Sequence, residues 1–398
     1  MEPMVPIPTA RRAGAAALAA LPVALAYRFA LIYRVRAGYP RRHPSIWTPD
    51  ALGLPYETLD VPTTDGLRLP AWFIPAGSGR APGVVLVHGW ESARDRTLPQ
   101  ALVLHAAGFH VLTFDVRGHG ANDPETLPMS VGEFAADARA AVAAMTARPE
   151  VSRVAVLGHS MGSAGSLVAA AADPDIAAVI AVATPADPYR LTRQTFRLAR
   201  LPIPDPIAWP LAWLTTRVYL RPRGHTIESV NATRAVREIA VPVMLVHGDQ
   251  DGVVPVGQLA QLAAARRAAR PHAVTETLVV AGGRHSWLYE FPAYRAAIAR
   301  FLAITLGGAV PPDEAAALAE AVPAVRLPEP ERLTALDEEP GGFRSLARIF
   351  QPRGRFGARG ASEAPAARGA SETPPAPAAA DGPTSLPAAI PEPGAPTR

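Results

Sequence analysis

Between residues 48 and 307, short apolar runs alternate with longer Ala-rich stretches whose apolar positions have helical spacing. Most of these runs are continuously apolar, which is typical of parallel strands covered on both faces of a sheet. The alternation favours an α/β fold with a mostly parallel, doubly wound sheet, and the first two runs look like an antiparallel hairpin at one edge. We predict strands at residues 56–61, 67–74, 84–88, 111–115, 154–158, 177–182, 241–247 and 275–281, and helices at about 98–107, 131–147, 161–172, 256–267 and 292–305.

Two regions depart from this alternation. Residues 187–240 carry Leu, Phe and Trp among several prolines, and we interpret them as a small helical cap insertion over the active-site end. A packed connection without a lid role is the alternative. The tail, residues 308–398, is rich in Pro, Ala and Gly, with one short helix predicted at 312–321. Beyond Pro340 its composition cannot bury enough apolar surface to offset chain entropy, so we expect it to be mostly disordered.

The N-terminal segment, residues 1–47, contains an apolar stretch at 13–33 with arginines on both sides. Its charge-free part, 13–27, would span about 22 Å as a helix, against a hydrocarbon core of about 30 Å. We favour a membrane anchor, so that the protein is membrane-associated. The motif Ala24-Leu25-Ala26 also fits a signal-peptide cleavage site, and a helix packed on the domain is the third alternative. A secreted or cytoplasmic protein therefore stays open.

Composition narrows the possible chemistry. The net charge is only +4, and the central region has no dense basic stripe, so we do not expect nucleic acid as a partner. Absence of cysteine excludes disulfides and thiolate nucleophiles. All 39 basic residues are arginine, which excludes a P-loop lysine, a Schiff base and a Ser-Lys dyad. An activated serine would therefore need another base, and histidine is the usual one.

The strongest chemical signal is the sequence Gly158-His159-Ser160-Met161-Gly162. It follows an apolar strand and opens an Ala-rich helix, which is the context that a nucleophile elbow requires. Small residues at 158 and 162 permit a tight turn that exposes the serine hydroxyl near a helix N-terminus. We predict Ser160 as the nucleophile.

A base and an acid follow in the later loops. His285 lies after the last predicted strand, whereas His272 precedes that strand and lies at the wrong end. Two acids, Asp249 and Asp251, follow the preceding strand. We favour Asp251, which lies further into its loop and can reach the imidazole, and interpret Asp249 as a turn former. All these loops follow the carboxyl ends of strands, where open α/β sheets build their sites.

An oxyanion hole needs two backbone N–H groups aimed at one point. We predict Met161, directly after the nucleophile, and Trp90, in the loop after the strand at 84–88. The Trp90 side chain either lines the acyl pocket or only packs.

Several other polar residues are interpreted as structural. Asp115, Arg117 and His119 are expected to brace loops, and His88 and His159 to support the site. The residues around Gly118 and Gly120 lack the third glycine of a dinucleotide loop, and no His/Asp/Glu cluster has metal-ligand spacing. We therefore expect neither a cofactor nor a metal.

Taken together, these motifs resemble α/β-hydrolases, most closely the branch of monoacylglycerol lipase-like enzymes and serine aminopeptidases S33. The resemblance covers residues 56–306. It implies Ser160, Asp251 and His285 as the catalytic triad, and Trp90 and Met161 as oxyanion donors. Ser163 departs from the branch, which often has a second glycine there. The motifs carrying the resemblance are His88-Gly89, residues 115–120, Gly158–Gly162, residues 247–251 with Val254-Pro255, and His285.

The sequence thus favours a serine hydrolase that cleaves small-molecule carboxylic esters through an acyl-enzyme. The apolar insertion with Trp209 and Trp213 favours lipophilic acyl substrates, as in a carboxylesterase or lipase. A serine peptidase acting on short peptides is the alternative, since fold resemblance does not distinguish the two. A catalytically silent, membrane-tethered binding protein is the third hypothesis.

Overall fold

The computed structural model describes residues 8–77 and 79–327. Its centre is one sheet of eight strands in the order β1-β2-β4-β3-β5-β6-β7-β8. Strands β1 and β2 form an antiparallel hairpin at one edge, β2 pairs antiparallel with β4, and the remaining pairs are parallel. The strands are β1 Glu57–Pro62, β2 Arg68–Ile74, β3 Ala81–Val87, β4 His110–Phe114, β5 Val151–His159, β6 Ile176–Val182, β7 Val243–Gly248 and β8 Thr275–Val280. The predicted fold class and edge hairpin are confirmed.

Two strands begin three residues earlier than the apolar pattern predicts. In β5 the added residues include Ser152 and Arg153, which are exposed, and Val151 pairs with Ala81 at the start of β3. A hydrophobicity pattern misses the first residues of a strand when their side chains are polar and exposed, although their backbones pair with the neighbouring strand.

Helices cover both faces of the sheet. Successive side chains of β3 point to opposite faces, so that Val85 joins one buried cluster and Val84 the other. The helices are α1 Pro8–Ala37, α2 Leu98–Ala106, α3 Val131–Thr146, α4 Met161–Ala170, α5 Pro188–Leu198, α6 Asp205–Leu220, α7 Ala232–Glu238, α8 Gly257–Ala269, α9 Pro292–Leu306 and α10 Pro312–Ala321. The first cluster contains residues of α3, α4, α7 and α8, and the second contains residues of α2, α9 and α10.

The region predicted as an insertion holds three helices with different surroundings. Helices α5 and α6 pack on each other and on α1, whereas α7 packs against α4 and α8 in the layer on the sheet. The predicted tail helix is present as α10, and its Ala315 and Ala319 are buried. The expected disorder beyond Pro340 lies outside the described residues.

Candidate active site

Strand β5 ends in a sharp turn that presents Ser160. This residue has φ 54° and ψ −119°, a region that residues other than glycine rarely adopt. Its backbone N–H donates to the Val182 carbonyl at 2.9 Å, and α4 begins at the next residue, Met161. The strand, the strained turn and the helix therefore occur in the order that a nucleophile elbow requires.

Two glycines make room for this turn. A Cβ at Gly162 would lie 2.3 Å from the His88 carbonyl oxygen, and one at Gly158 would lie 2.5 Å from the Gly162 carbonyl oxygen. Ser163 is buried, and its Oγ donates to the Ser160 carbonyl at 2.6 Å. The serine that departs from the resembling branch therefore bonds to the backbone of the turn itself.

The three residues predicted as a triad lie in one hydrogen-bonded chain. His285 Nε2 is 3.0 Å from Ser160 Oγ, and His285 Nδ1 is 2.8 Å from Asp251 Oδ2. The residues follow β5, β7 and β8, so the carboxyl ends of three parallel strands bring them together. This arrangement of hydroxyl, imidazole and carboxylate has the geometry for general-base activation of the hydroxyl.

Asp251 is held as a carboxylate. Its Oδ1 accepts hydrogen bonds from the N–H groups of Val253 and Val254, both at 2.8 Å. Burial alone would raise the pKa of Asp251, but the charge of His285 and the hydrogen bonds from His247, His285 and Val254 lower it well below its usual value. Asp251 therefore remains an acceptor for the His285 ring across the neutral pH range.

A second histidine, His247, also contacts this carboxylate. Its Nε2 lies 3.0 Å from Asp251 Oδ2 and 2.8 Å from the Val254 carbonyl oxygen, and its side chain is 1% exposed. We did not predict this contact, although His247 stands four positions before Asp251 at the end of a predicted strand. His247 and His285 therefore contact the same carboxylate oxygen, Oδ2, and His247 helps to hold the acid in place.

His159, in the turn itself, supports the loop that carries His285. Its Nε2 donates to the His285 backbone carbonyl at 2.7 Å, and the two ring centroids are 4.9 Å apart. Burial and the neighbouring His285 lower the pKa of His159 to about 4. His159 is therefore neutral at physiological pH, which avoids a second positive charge when His285 takes up a proton.

The residues predicted as oxyanion donors lie beside Ser160. Met161 is the first residue of α4, so its N–H has no acceptor within that helix. Gly89 is so close that a Cβ there would lie 3.3 Å from the Ser160 Cβ. Trp90 follows Gly89, and both Trp90 and Met161 line the same cavity as Ser160. The donor roles of Trp90 and Met161 stay a prediction.

The acids interpreted as structural bind backbone or arginine groups. Asp249 Oδ1 accepts from the Gly282 N–H at 2.8 Å. Asp115 accepts from the Arg94 N–H at 2.7 Å and from the Ala121 N–H at 3.0 Å. These bonds tie loops together around the site.

Arg117 forms ion pairs with two acids. Its guanidinium bonds Asp137 and Asp65, both at 2.6 Å. Burial would lower the pKa of Arg117, but the two carboxylates raise it above its ordinary value. In the part of the chain that the structure describes, neither Asp115, Arg117 nor His119 lines the cavity around Ser160.

One cavity of about 370 Å³ opens onto the serine. Ser160 and His285 line it together with Leu191 and Leu198 of α5. Tyr33 of α1 lines the same cavity, so residues from the N-terminal helix and the insertion both reach the site.

A group of three or more His, Cys, Asp or Glu side chains able to hold a metal ion is absent from residues 8–77 and 79–327. A hydroxyl beside an imidazole that a carboxylate holds in place can act as a nucleophile, and in this geometry His285 is placed to take up the proton of Ser160.

Comparison with known proteins finds similarity to α/β hydrolases. Residues 80–230 match the family model of the serine aminopeptidases S33. An uncharacterized protein of Mycobacterium tuberculosis is 32% identical over 208 residues, or 52% of this chain, and the chain spans 65% of that relative's length. The α/β hydrolase domain-containing protein WAV2 of Arabidopsis thaliana is 26% identical over 275 residues, covering 65% of this chain and 82% of WAV2.

Solved structures share the fold. An esterase from Pyrococcus furiosus superposes with a TM-score of 0.55 at 23% identity, over 68% of this chain and 98% of the esterase. Neither α1 nor the tail falls within the family match. The sheet order, the strained serine turn and these similarities show that the chain has the α/β-hydrolase fold, and its residues 80–230 resemble the serine aminopeptidases S33.

Proposed function

We propose that this protein is a serine hydrolase that cleaves carboxylic esters with lipophilic acyl groups. The observation that carries the proposal is the unbroken hydrogen-bonded chain from Ser160 through His285 to Asp251, with contacts of 3.0 and 2.8 Å. An arrangement of this kind is rarely assembled for packing alone, because it places a partly exposed hydroxyl on a strained backbone beside a cavity.

In the proposed reaction His285 removes the Ser160 proton as Oγ attacks the ester carbonyl. Asp251 holds the imidazole in the tautomer that accepts this proton and stabilises the imidazolium. The backbone N–H groups of Trp90 and Met161 stabilise the tetrahedral oxyanion, each by about 3 kcal/mol by analogy with measured donors. His285 then protonates the leaving alcohol, and water attacks the acyl-enzyme with the same histidine as base.

The charged residues that line the cavity argue against a cationic substrate. Arg36 and Arg96 line it, and its one acidic residue among those described, Glu91, accepts a hydrogen bond from the Arg41 backbone N–H at 3.2 Å. An aminopeptidase must bind a free ammonium group, which two nearby arginines disfavour. Leucines of the insertion suit an acyl chain instead.

Activity-based labelling tests the proposal directly. A fluorophosphonate probe should label the wild type at Ser160, and p-nitrophenyl esters should be hydrolysed. The Ser160→Ala variant should lose both properties and still fold, whereas Ser152→Ala, an exposed serine on the same strand, should keep them. Full turnover by Ser160→Ala would refute the proposed nucleophile. Absence of labelling in the folded wild type would favour the silent binding protein.

A peptidase acting on short peptides is the second candidate, because the family model that matches residues 80–230 is described as a serine aminopeptidase. A panel of acyl esters and aminoacyl amides, compared by kcat/KM, separates the two. Preference for amides with a free amino group would overturn the ester assignment.

We further propose that the N-terminal helix associates with a membrane. By length and composition alone the part of α1 from Ala16 to Ala37 could cross a bilayer, and in its N-terminal half Leu18, Leu21 and Val23 are more than half exposed. A signal sequence would share these properties. Recovery of the uncleaved protein in the soluble fraction after lysis at physiological salt would contradict the anchor.

A further inference from the structure

The last turns of α1 form part of the cavity wall. In this half of the helix Ala30 and Tyr33 are buried and Phe29 is partly buried, whereas Ile32 and Val35 remain exposed. Burial that recurs at three- and four-residue spacing means that one face of the helix is docked. The docked face lies against α5 and α6.

Tyr33 is the centre of this contact. Its side chain is 5% exposed, and its hydroxyl lies 2.9 Å from Thr195 Oγ1 of α5. Its ring meets the edges of Phe196 and Tyr219 with centroid distances of 5.9 and 6.1 Å. One hydrogen bond and two ring contacts from two different helices restrict the rotation of the Tyr33 side chain.

The end of the helix is fixed independently of Tyr33. The Met129 N–H donates to the Gly38 carbonyl at 2.8 Å. Gly38 also lies so close to Pro128 that a Cβ would be 2.5 Å from the proline Cβ. Arg34 reaches the Val218 carbonyl of α6 at 3.4 Å. The fold of the main domain therefore determines where Tyr33 stands.

We infer that Tyr33 closes the acyl-binding part of the cavity and so determines the length of acyl chain that the enzyme accepts. The inference rests on the proposed ester hydrolysis at Ser160, because Tyr33 and Ser160 line the same cavity. The cavity of about 370 Å³ is near the lower end of the range for ligand sites, about 300–1,000 Å³. We therefore expect esters of a single linear acyl chain as substrates rather than lipids with two chains.

The test compares two substitutions of opposite sense in the full-length, detergent-solubilised protein. Tyr33→Ala enlarges the cavity and Tyr33→Trp reduces it. We expect the optimum of kcat/KM along p-nitrophenyl esters from acetate to palmitate to move to longer chains in Tyr33→Ala. Each newly buried methylene should give a gain of about fourfold. In Tyr33→Trp the optimum should move to shorter chains.

A matched control is available on the same helix. Tyr27 is 45% exposed, so Tyr27→Ala makes the same change six residues earlier, outside the cavity, and should leave the optimum in place. Circular dichroism melts check that each variant is folded. If Tyr33→Ala does not fold, Tyr33→Trp alone decides. An optimum that stays at the wild-type length in every folded Tyr33 variant would overturn the inference while leaving ester hydrolysis intact.

A binding measurement separates this inference from the proposed reaction. In the Ser160→Ala background, linear fatty acids of increasing length should displace dansyl-undecanoic acid, followed by fluorescence. The Kd optimum should shift in the same directions with the two Tyr33 substitutions. If the wild type hydrolyses no ester but these shifts in Kd occur, the role of Tyr33 in limiting chain length is supported and the proposed reaction is refuted. If binding does not depend on residue 33, the role of Tyr33 is refuted and the proposed ester hydrolysis is unaffected.

Discussion

The backbone of Ser160 offers a direct measure of how much strain the nucleophile elbow contains. With φ 54° and ψ −119°, the residue holds a conformation natural to glycine and costly for any residue with a Cβ, by about 1–3 kcal/mol. Ser160→Ala and Ser160→Gly both remove the hydroxyl and its contact with His285. Only the glycine variant also removes the Cβ, so the difference between the two variants isolates the backbone term.

Two effects oppose each other in that difference. Relief of strain stabilises the glycine variant by about 1–3 kcal/mol, while the greater chain entropy of unfolded glycine destabilises it by roughly 0.5–1 kcal/mol. The net expectation is that Ser160→Gly is more stable than Ser160→Ala by about 1 kcal/mol. For a domain of this size class the corresponding increase in Tm is about 2–4 °C.

Urea unfolding followed by circular dichroism measures both variants under one condition. Ala136, exposed in helix α3, provides the control, because Ala136→Gly in an ordinary helical position should be destabilising by about 1 kcal/mol. The sign of the alanine-to-glycine difference should therefore be opposite at the two positions. A glycine variant at 160 that is less stable than its alanine counterpart, as at 136, would refute the strained elbow.

Three further outcomes follow from the site. Asp251→Asn should lower kcat by about 10⁴-fold, by analogy with the same change in serine proteases, because the amide holds the imidazole in the wrong tautomer. Asp249→Asn only weakens a hydrogen bond between two loops, so it should lower kcat far less in the same ester assay. Burial lowers the pKa of His88 to about 4 from 6.5, so between these two pH values the unfolded chain binds more protons at this residue than the folded protein does. The free energy of unfolding should therefore fall as the pH drops below about 6.5, by up to about 1.4 kcal/mol per pH unit. It should level off below the pKa of the folded state. Urea titrations of wild type and His88→Gln between pH 7 and 4 should differ by that slope, and equal slopes would contradict the assignment. Gly162→Ala should abolish folding or labelling, because the added Cβ would lie 2.3 Å from the His88 carbonyl oxygen. Gly257→Ala, with open space around it, should be neutral or stabilising by about 0.4–1 kcal/mol.

The approximate positions of all eight strands along the chain could be predicted, because runs such as Val84–Val87 are apolar on both faces. Ser160 and the turn around it could also be predicted from the sequence, since the residues that shape the turn are adjacent in the chain. The contact between His285 and Asp251 required only that both loops leave the same end of the sheet.

The remaining features depend on contacts that no local pattern carries. The sequence does not predict the docking of α1, because the stretch is apolar on every side and Tyr33 and Phe29 do not stand out as one face. The contact of His247 with Asp251 depends on how tightly the loop after β7 turns. The bond from Ser163 to the Ser160 carbonyl depends on the strained geometry of the elbow itself.

The exposed and docked parts of α1 meet between Arg28, which is exposed, and Phe29, the first of the docked residues. A peptidase that cut the chain at that point would release the enzyme from a lipid surface and leave Phe29 and Tyr33 seated. The shed and the tethered forms would then handle the same range of esters. Such processing would change where hydrolysis takes place without changing what is hydrolysed.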